Sequence, residues 1–246
     1  LLCYNGDMRL DKLLMKHGFG SKRDIKRLLF SKQVSVDGHV VMQENLTVDT
    51  TIQRVVVNGK ILPNNSDVYY MLNKPKNVVT AVKDDKKQTV IDLIDEKDRC
   101  DGLHPVGRLD ADTTGLVLLT TNGRLGYRLI QEKYDVSKVY AVTVNGFLDE
   151  SAVEVFEKGV VFHDGTRCKS AKLEILSSSE TASYAKVEIH EGKYHQVKKM
   201  FLCVGVKVIE LQRLTLGPLV LDETLKEGEY RRLKGDELEK LKKYFV

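Results

Sequence analysis

Apolar residues recur at helical spacing twice near the start of the chain. Leu10, Leu13 and Leu14 fall on one face of a short helix that stops near His17-Gly18, and Ile25, Leu28 and Leu29 fall on one face of a second. Ser21 heads the second helix as an N-cap, and Asp24, three residues on, nearly completes a capping box. The period then changes to two. Val34-Ser35-Val36, Asp37-Gly38 and Val40-Val41 read as strands around a tight turn, and Val55-Val56-Val57, Asn58-Gly59 and Ile61-Leu62 repeat the arrangement. Asp-Gly and Asn-Gly accept the positive φ of a two-residue hairpin turn. Two helices followed by two hairpins make a small α+β module. Pro63-Asn64-Asn65-Ser66 cannot extend a strand, so the boundary of the module is expected there, on a connection short enough to limit interdomain motion without abolishing it.

Beyond the boundary, Val68 to Leu72, Leu116 to Thr120, Val139 to Val144, Lys172 to Leu176 and Ala185 to Ile189 read as strands. Val153 to Lys158, closed by Gly159, and His195 to Val204, closed by Gly205, read as helices. Strands and helices do not alternate regularly, which favours a mixed or antiparallel sheet over a doubly wound parallel one. The fold class expected is therefore α+β. Residues 1–7 are set aside as a leader or remnant, residues 8–66 form the small module, and residues 67–246 form one larger domain. A length of 246 residues suits a small domain beside a larger one.

Composition narrows the class without naming it. With 42% hydrophobic and 30% charged residues, collagen-like, low-complexity and largely disordered chains are excluded. No apolar run approaches the roughly 20 residues that span a bilayer. The opening LLCYNGDMRLDKLL lacks a cationic start followed by an apolar core, so a cytoplasmic protein is expected, without a membrane partner and as a monomer. Cys3, Cys100, Cys168 and Cys203 are scattered with no CxxC, which argues against disulfides and structural zinc. Cys203, within MFLCVGV, reads as a small buried hydrophobe. The histidines form no HExxH, and His190 with His195 is only a weak pair, so no bound metal is expected. Charge is unevenly spread: residues 8–66 hold ten Lys and Arg against five Asp and Glu, a net of +5 in a chain whose total is +4. A basic module on a neutral larger domain suits delivery of a polyanion. Lys22, Arg23, Lys26 and Arg27 fall near one another on the exposed side of the second helix, where they can meet a phosphate backbone.

The densest chemistry lies in HPVGRLDADTTGLVLLT, residues 104–120. Asp110-x-Asp112-x-Thr114-Gly115 resembles the first half of a calcium loop, but the twelfth position is Thr121 where a bidentate Glu is needed, and a strand follows where a helix is required. A plain turn in which Asp112 and Thr113 satisfy local amides is the simpler reading of those two residues. Neither GxGxxG nor GxxxxGKS occurs, so no nucleotide cofactor has a seat.

MRLDKLL, SKRDIKRLL, VSVDG, GRLDADTTGLVLLT and EGKYHQVKKMF together resemble the Rsu-type branch of the ribosomal RNA pseudouridine synthases. The N-terminal part resembles the RNA-binding module first described in small-ribosomal-subunit protein four. The resemblance runs from Met8 to the C-terminus and implies a pseudouridine synthase catalytic domain behind an RNA-binding module. It implies that Asp110 is the catalytic carboxylate, that Tyr140 packs on the target base, that Lys198 stands where a basic residue pairs with the aspartate, and that Arg108 fills the place left by the extruded nucleotide. LNKPKNVV, residues 72–79, resembles the family's first motif with Asn77 in a glycine position, and reads as mainly structural. The implied substrate is ribosomal RNA or a partly assembled small subunit, with no cofactor, because the reaction is an isomerisation. A non-catalytic ribosome-assembly factor is the rival from another class. A methyltransferase would need a glycine-rich turn after a first strand, and none is present.

Overall fold

The fold was obtained as a computed structural model that describes residues 8–63 and 67–244. Residues 1–7, which include Cys3 and were expected to be a leader or remnant, and three of the four boundary residues, Asn64 to Ser66, lie outside the described residues.

The N-terminal elements follow the expected order. β1 (Met8–Arg9) leads into α1 (Leu10–Lys16) and α2 (Lys22–Phe30), then β2 (Val34–Val36), β3 (His39–Val40), β4 (Thr47–Val48), β5 (Val55–Val57) and β6 (Lys60–Ile61). The capping box at α2 is complete: the Asp24 carboxylate accepts from the Ser21 amide at 2.9 Å, and the Asp24 amide donates back to the Ser21 hydroxyl. Both hairpin turns use the left-handed backbone that their sequences allow, with φ of 49° at Asp37 and 51° at Asn58. Leu10, Leu13 and Leu14 of α1 and Ile25 and Leu29 of α2 close over Val34, Val36, Val55 and Val57 in one small core. That leaves Lys22, Arg23, Lys26 and Arg27 exposed.

The larger part is built on β7 (Tyr69–Lys74), β8 (His104–Pro105), β9 (Thr114–Thr120), α3 (Gly123–Ile130), β10 (Lys138–Val144), α4 (Glu150–Glu157), β11 (Lys172–Ser178), β12 (Ser183–Ile189), α5 (Gln196–Cys203), β13 (Val208–Leu216), β14 (Leu219–Val220), β15 (Tyr230–Arg232) and α6 (Gly235–Leu241). One sheet runs in the order β11-β12-β10-β13-β9-β7-β15, with β14 added to β13 and β8 to β9. The β9–β13 pair is parallel and the remaining pairs described are antiparallel, so the sheet is mixed. Every residue of β7 and β9 is buried. Their side chains alternate between two cores: Tyr70, Leu72, Val117 and Leu119 face the α4–α5 side, while Tyr69, Met71, Leu116 and Leu118 face the α3–α6 side. Burial on both faces explains why LVLL is a continuous apolar run. Strands β10 and β12 alternate, with one face on the core and the other half-buried in β10 and mostly exposed in β12.

Helices α3 and α6 and the short strands β1, β4, β8, β14 and β15 had no expected counterpart, and other local readings also differ from expectation. β13, the strand at the centre of the sheet, had no expected counterpart: its buried face includes Arg213, and register shifts against β10 interrupt its period. His195 lies outside α5 in a left-handed conformation, φ 52°, and the helix starts at Gln196. Cys203 is half-buried at the edge of the core, whereas among the described cysteines Cys168 is the buried one. Among the described residues no helix is long and apolar enough to cross a membrane.

The N-terminal elements are docked by more than the short connection. Asp49, with no exposed surface, accepts hydrogen bonds from the Tyr69 hydroxyl and, at 2.9 Å, from the Asn122 side-chain amide. The Asn122 carbonyl oxygen meanwhile caps α3 by accepting from the Leu125 amide at 2.8 Å. Ile52 packs into the core that holds Met71 and Leu118. Asn122→Ala would strip the cap and leave Asp49 short of a donor in a buried site. It should cost about 2–3 kcal/mol, read as a lower urea midpoint with an unchanged slope; a loss below about 0.5 kcal/mol would contradict this docking.

Candidate active site

Asp110 sits on the loop that delivers the chain into β9, and the first motif clamps that loop from below. Lys74, at the end of β7, has no exposed surface. Its ammonium donates to the carbonyls of Pro75 at 2.8 Å, Thr113 at 2.8 Å and Ala111 at 3.3 Å. The Asn77 amide donates to Ala111 O at 2.7 Å from a residue at φ 66°, the left-handed conformation that asparagine tolerates better than most. Thr80 holds the other side, its hydroxyl donating to Leu109 O and accepting from Leu109 N. LNKPKNVV is therefore the cradle of the aspartate loop. Burial pulls the Lys74 pKa down to about 8, although Asp112 and Asp110 oppose the shift. At the far end of the loop, Gly115 (φ 101°) lets β9 lie flush on β13; a Cβ there would stand 2.3 Å from Arg213 O.

The carboxylate of Asp110 is about one-third exposed and meets two side chains from the α5 region. Lys198 Nζ lies 2.9 Å from its Oδ2 and 2.6 Å from Asp112 Oδ1, so one ammonium bridges both aspartates. His195 Nε2 lies 3.4 Å from Asp110 Oδ1. Burial disfavours the Lys198 ammonium, but its hydrogen bonds to Asp112 and Asp110 outweigh this and hold its pKa above the ordinary lysine value. The hydrogen bond from Lys198 keeps Asp112 below the usual carboxylate range. The two carboxylates of the calcium-like spacing thus share a cation supplied by the chain, and Asp112 has a tertiary partner in place of a purely local turn role. Among the described residues no group of three or more His, Cys, Asp or Glu is arranged to hold a metal ion.

The other expected site residues lie at different depths. Tyr140 is 8% exposed on β10, opposite Arg213 of β13, and its hydroxyl makes no hydrogen bond to the described residues. Arg108, two residues before Asp110, is exposed and has no ion-pair partner among the described residues, which leaves its guanidinium available. Lys22, Arg23, Lys26 and Arg27 belong to α2 and do not touch Asp110; among the described residues only Arg27 of these has an ion pair, a 3.9 Å contact to Asp24. Lys199 turns away from Asp110, its Nζ 5.3 Å from the Phe162 ring and 5.5 Å from the Tyr194 ring. The residue that sequence reasoning missed is His195. Its signal was position: it immediately precedes the helix carrying Lys198, and a helix starting one residue later frees it to face the loop.

Residues 68–202, which include Arg108, Asp110, Tyr140 and Lys198, match the RNA pseudouridylate synthase family. The chain belongs to this family. As a pseudouridine synthase it is an isomerase, and its residues 8–51 match the S4 domain. It is 38% identical over 231 residues to the uncharacterized RNA pseudouridine synthase YtzG of Bacillus subtilis, covering 94% of this chain and 97% of that protein. It is 35% identical to the ribosomal small subunit pseudouridine synthase A of Escherichia coli, covering 94% and 98%. A crystal structure of a pseudouridylate synthase superposes with a TM-score of 0.66 at 34% identity over 95% of this chain and 99% of the other.

An ammonium that fixes the direction of a partly exposed carboxylate should, where that carboxylate reacts, matter for turnover more than for binding. Lys198→Met should lower kcat about a hundredfold while RNA affinity stays within about threefold, and Lys198→Arg should retain most of the rate. Because its bonds to Asp112 and Asp110 hold its pKa above the ordinary lysine value, deprotonation of Lys198 should cost no activity at any pH below the ordinary lysine range. A kcat loss below threefold in the Met variant, from single-turnover kinetics, would contradict the role.

Proposed function

We propose that this chain isomerises uridine to pseudouridine in small-subunit ribosomal RNA, with Asp110 as the catalytic carboxylate. The observation that carries the reading is the Asp110–Lys198 pair at 2.9 Å on a clamped loop: a partly exposed carboxylate fixed in direction by a fixed cation. The N1–C1′ bond of the uridine breaks, the uracil turns over, C5 bonds to C1′, and the C5 proton is lost while N1 gains one. Asp110 attacks or stabilises the electron-poor intermediate that allows the base to detach. Tyr140 packs on the base and helps remove the C5 proton. Arg108, which has no ion-pair partner among the described residues, enters the stack from which the target has flipped.

Delivery is assigned to the N-terminal unit, residues 8–66, and chemistry to residues 67–246. The exposed cations of α2 neutralise phosphates of the folded RNA, and the small-subunit relatives support that target. The enzyme works as a monomer in the cytoplasm and uses no cofactor, since substrate and product are isomers.

Two measurements check this reading. Ribosomal RNA tritiated at uridine C5 should release tritium with the wild type and not with Asp110→Ala, both proteins binding the RNA. Release by neither, on free small-subunit RNA and on partly assembled particles, would favour a non-catalytic assembly factor. Replacing Lys22, Arg23, Lys26 and Arg27 together by Ala should lower the slope of log K against log salt by about 3; an unchanged slope would remove α2 from the docking surface.

A further inference from the structure

Tyr194 is 73% exposed, the most exposed large apolar side chain among those described, and it stands beside the Asp110 site. A single exposed aromatic needs no explanation by itself. This one is held. Its ring stacks on the His195 imidazole with centroids 3.8 Å apart and planes at 20°, and His195 in turn reaches Asp110 at 3.4 Å. The supporting loop is tied from within by Glu191, which is 2% exposed. The Glu191 carboxylate accepts from the Gln196 side chain at 2.7 Å and from the Lys169 amide at 3.0 Å, and also pairs with Lys193. Gln196 returns a bond by accepting from the Lys193 amide at 2.8 Å. This network brackets Tyr194 and holds His195 in its left-handed conformation, so the ring is presented at low conformational cost.

A ring covered on one face by an imidazole and still 73% exposed keeps most of its remaining surface bare. Lys199 adds a positive charge 5.5 Å from its centroid and forms no ion pair among the described residues, whereas Lys193 and Lys198 are committed to acids. An exposed aromatic ring with an ammonium 5.5 Å from its centroid and no acid paired to that ammonium among the described residues fits a base and its phosphate. The imidazole fills the space between this ring and Asp110, so a base stacked on Tyr194 is displaced from the reacting carboxylate and belongs to a neighbour of the target nucleotide.

We propose that Tyr194, backed by His195, is the stacking platform for an unpaired RNA base adjoining the target uridine, with Lys199 meeting the phosphate beside it. The inference rests on the pseudouridine synthase reading and adds a subsite to it. A base inside a duplex has both faces covered, so the platform selects substrates in which the neighbour of the target is unstacked. It tolerates any base and gains most from a purine, which offers the larger surface.

The test uses the full chain and a small-subunit RNA fragment carrying 2-aminopurine on either side of the converted uridine in turn, or at each position of the bound loop if none is converted. One labelled position should be quenched on binding to the wild type and to Tyr194→Phe, and not on binding to Tyr194→Ala or Tyr194→Leu. In turnover, Tyr194→Ala and Tyr194→Leu should raise KM about tenfold with kcat within about threefold. Tyr194→Phe and Tyr184→Ala, an exposed tyrosine on the open face of the sheet, should match the wild type. Wild-type KM in the Leu variant, or quenching that survives loss of the ring, overturns the platform. A wild type that binds RNA but releases no tritium refutes the pseudouridine reading instead, and the quenching, which needs no turnover, still decides the platform.

Discussion

A lysine with no exposed surface holds the Asp110 loop of this protein in shape. Lys74 gives its three protons to three carbonyls, two of them in the segment that turns the chain from Asp110 into β9. Desolvation makes such an ammonium costly, as its lowered pKa records, and only a fixed set of acceptors offsets that cost. With the loop closed on Lys74, Asp110 and Asp112 converge on Lys198, and the carboxylate is left open on one side. The clamp and the ion pair come from segments far apart in the chain, so each constrains how the others pack.

The sheet makes this convergence possible. β7 carries Lys74 and lies antiparallel to β9, which carries the loop, so the two ends meet with Lys74 opposite Gly115. On its other side β9 runs parallel to β13, an approach that Gly115 permits. Helix α5 packs on the same core through Val197, Met200 and Phe201, and this packing aims Lys198 at Asp110. Rigid central strands covered on both faces place reacting side chains more accurately than a loop on an open surface would. The Asp49–Tyr69–Asn122 contact extends that rigidity to the N-terminal module, so the cations of α2 are carried on a docked unit.

Much of this was legible in the residues. The helical period over 10–29, the two turn dipeptides and the apolar run of β9 each rest on local chemistry that the fold leaves intact. So does Asn77, whose tolerance of left-handed backbone the loop uses. Other features had no local signature. β13 hides because its buried face includes a charged residue, Arg213, and because bulges break its period. The role of Lys74 depends on carbonyls about forty residues away, and that of Asn122 on Asp49, 73 residues earlier. His195 was obscured by a single residue at the helix boundary, since a left-handed residue in front of α5 faces the loop in a way a helical one would not. Asp112 reads locally as a turn residue, and only the packing of α5 against the loop gives it Lys198.

The central claim is that Lys198 acts through Asp110, and a double-mutant cycle on the single-turnover rate tests it most directly. Asp110→Asn, Lys198→Met and the double variant would be compared with the wild type on the same RNA. If the ammonium serves the carboxylate, removing it from the Asp110→Asn protein changes the residual rate by less than about twofold. Independent losses that multiply in the double variant would contradict the account.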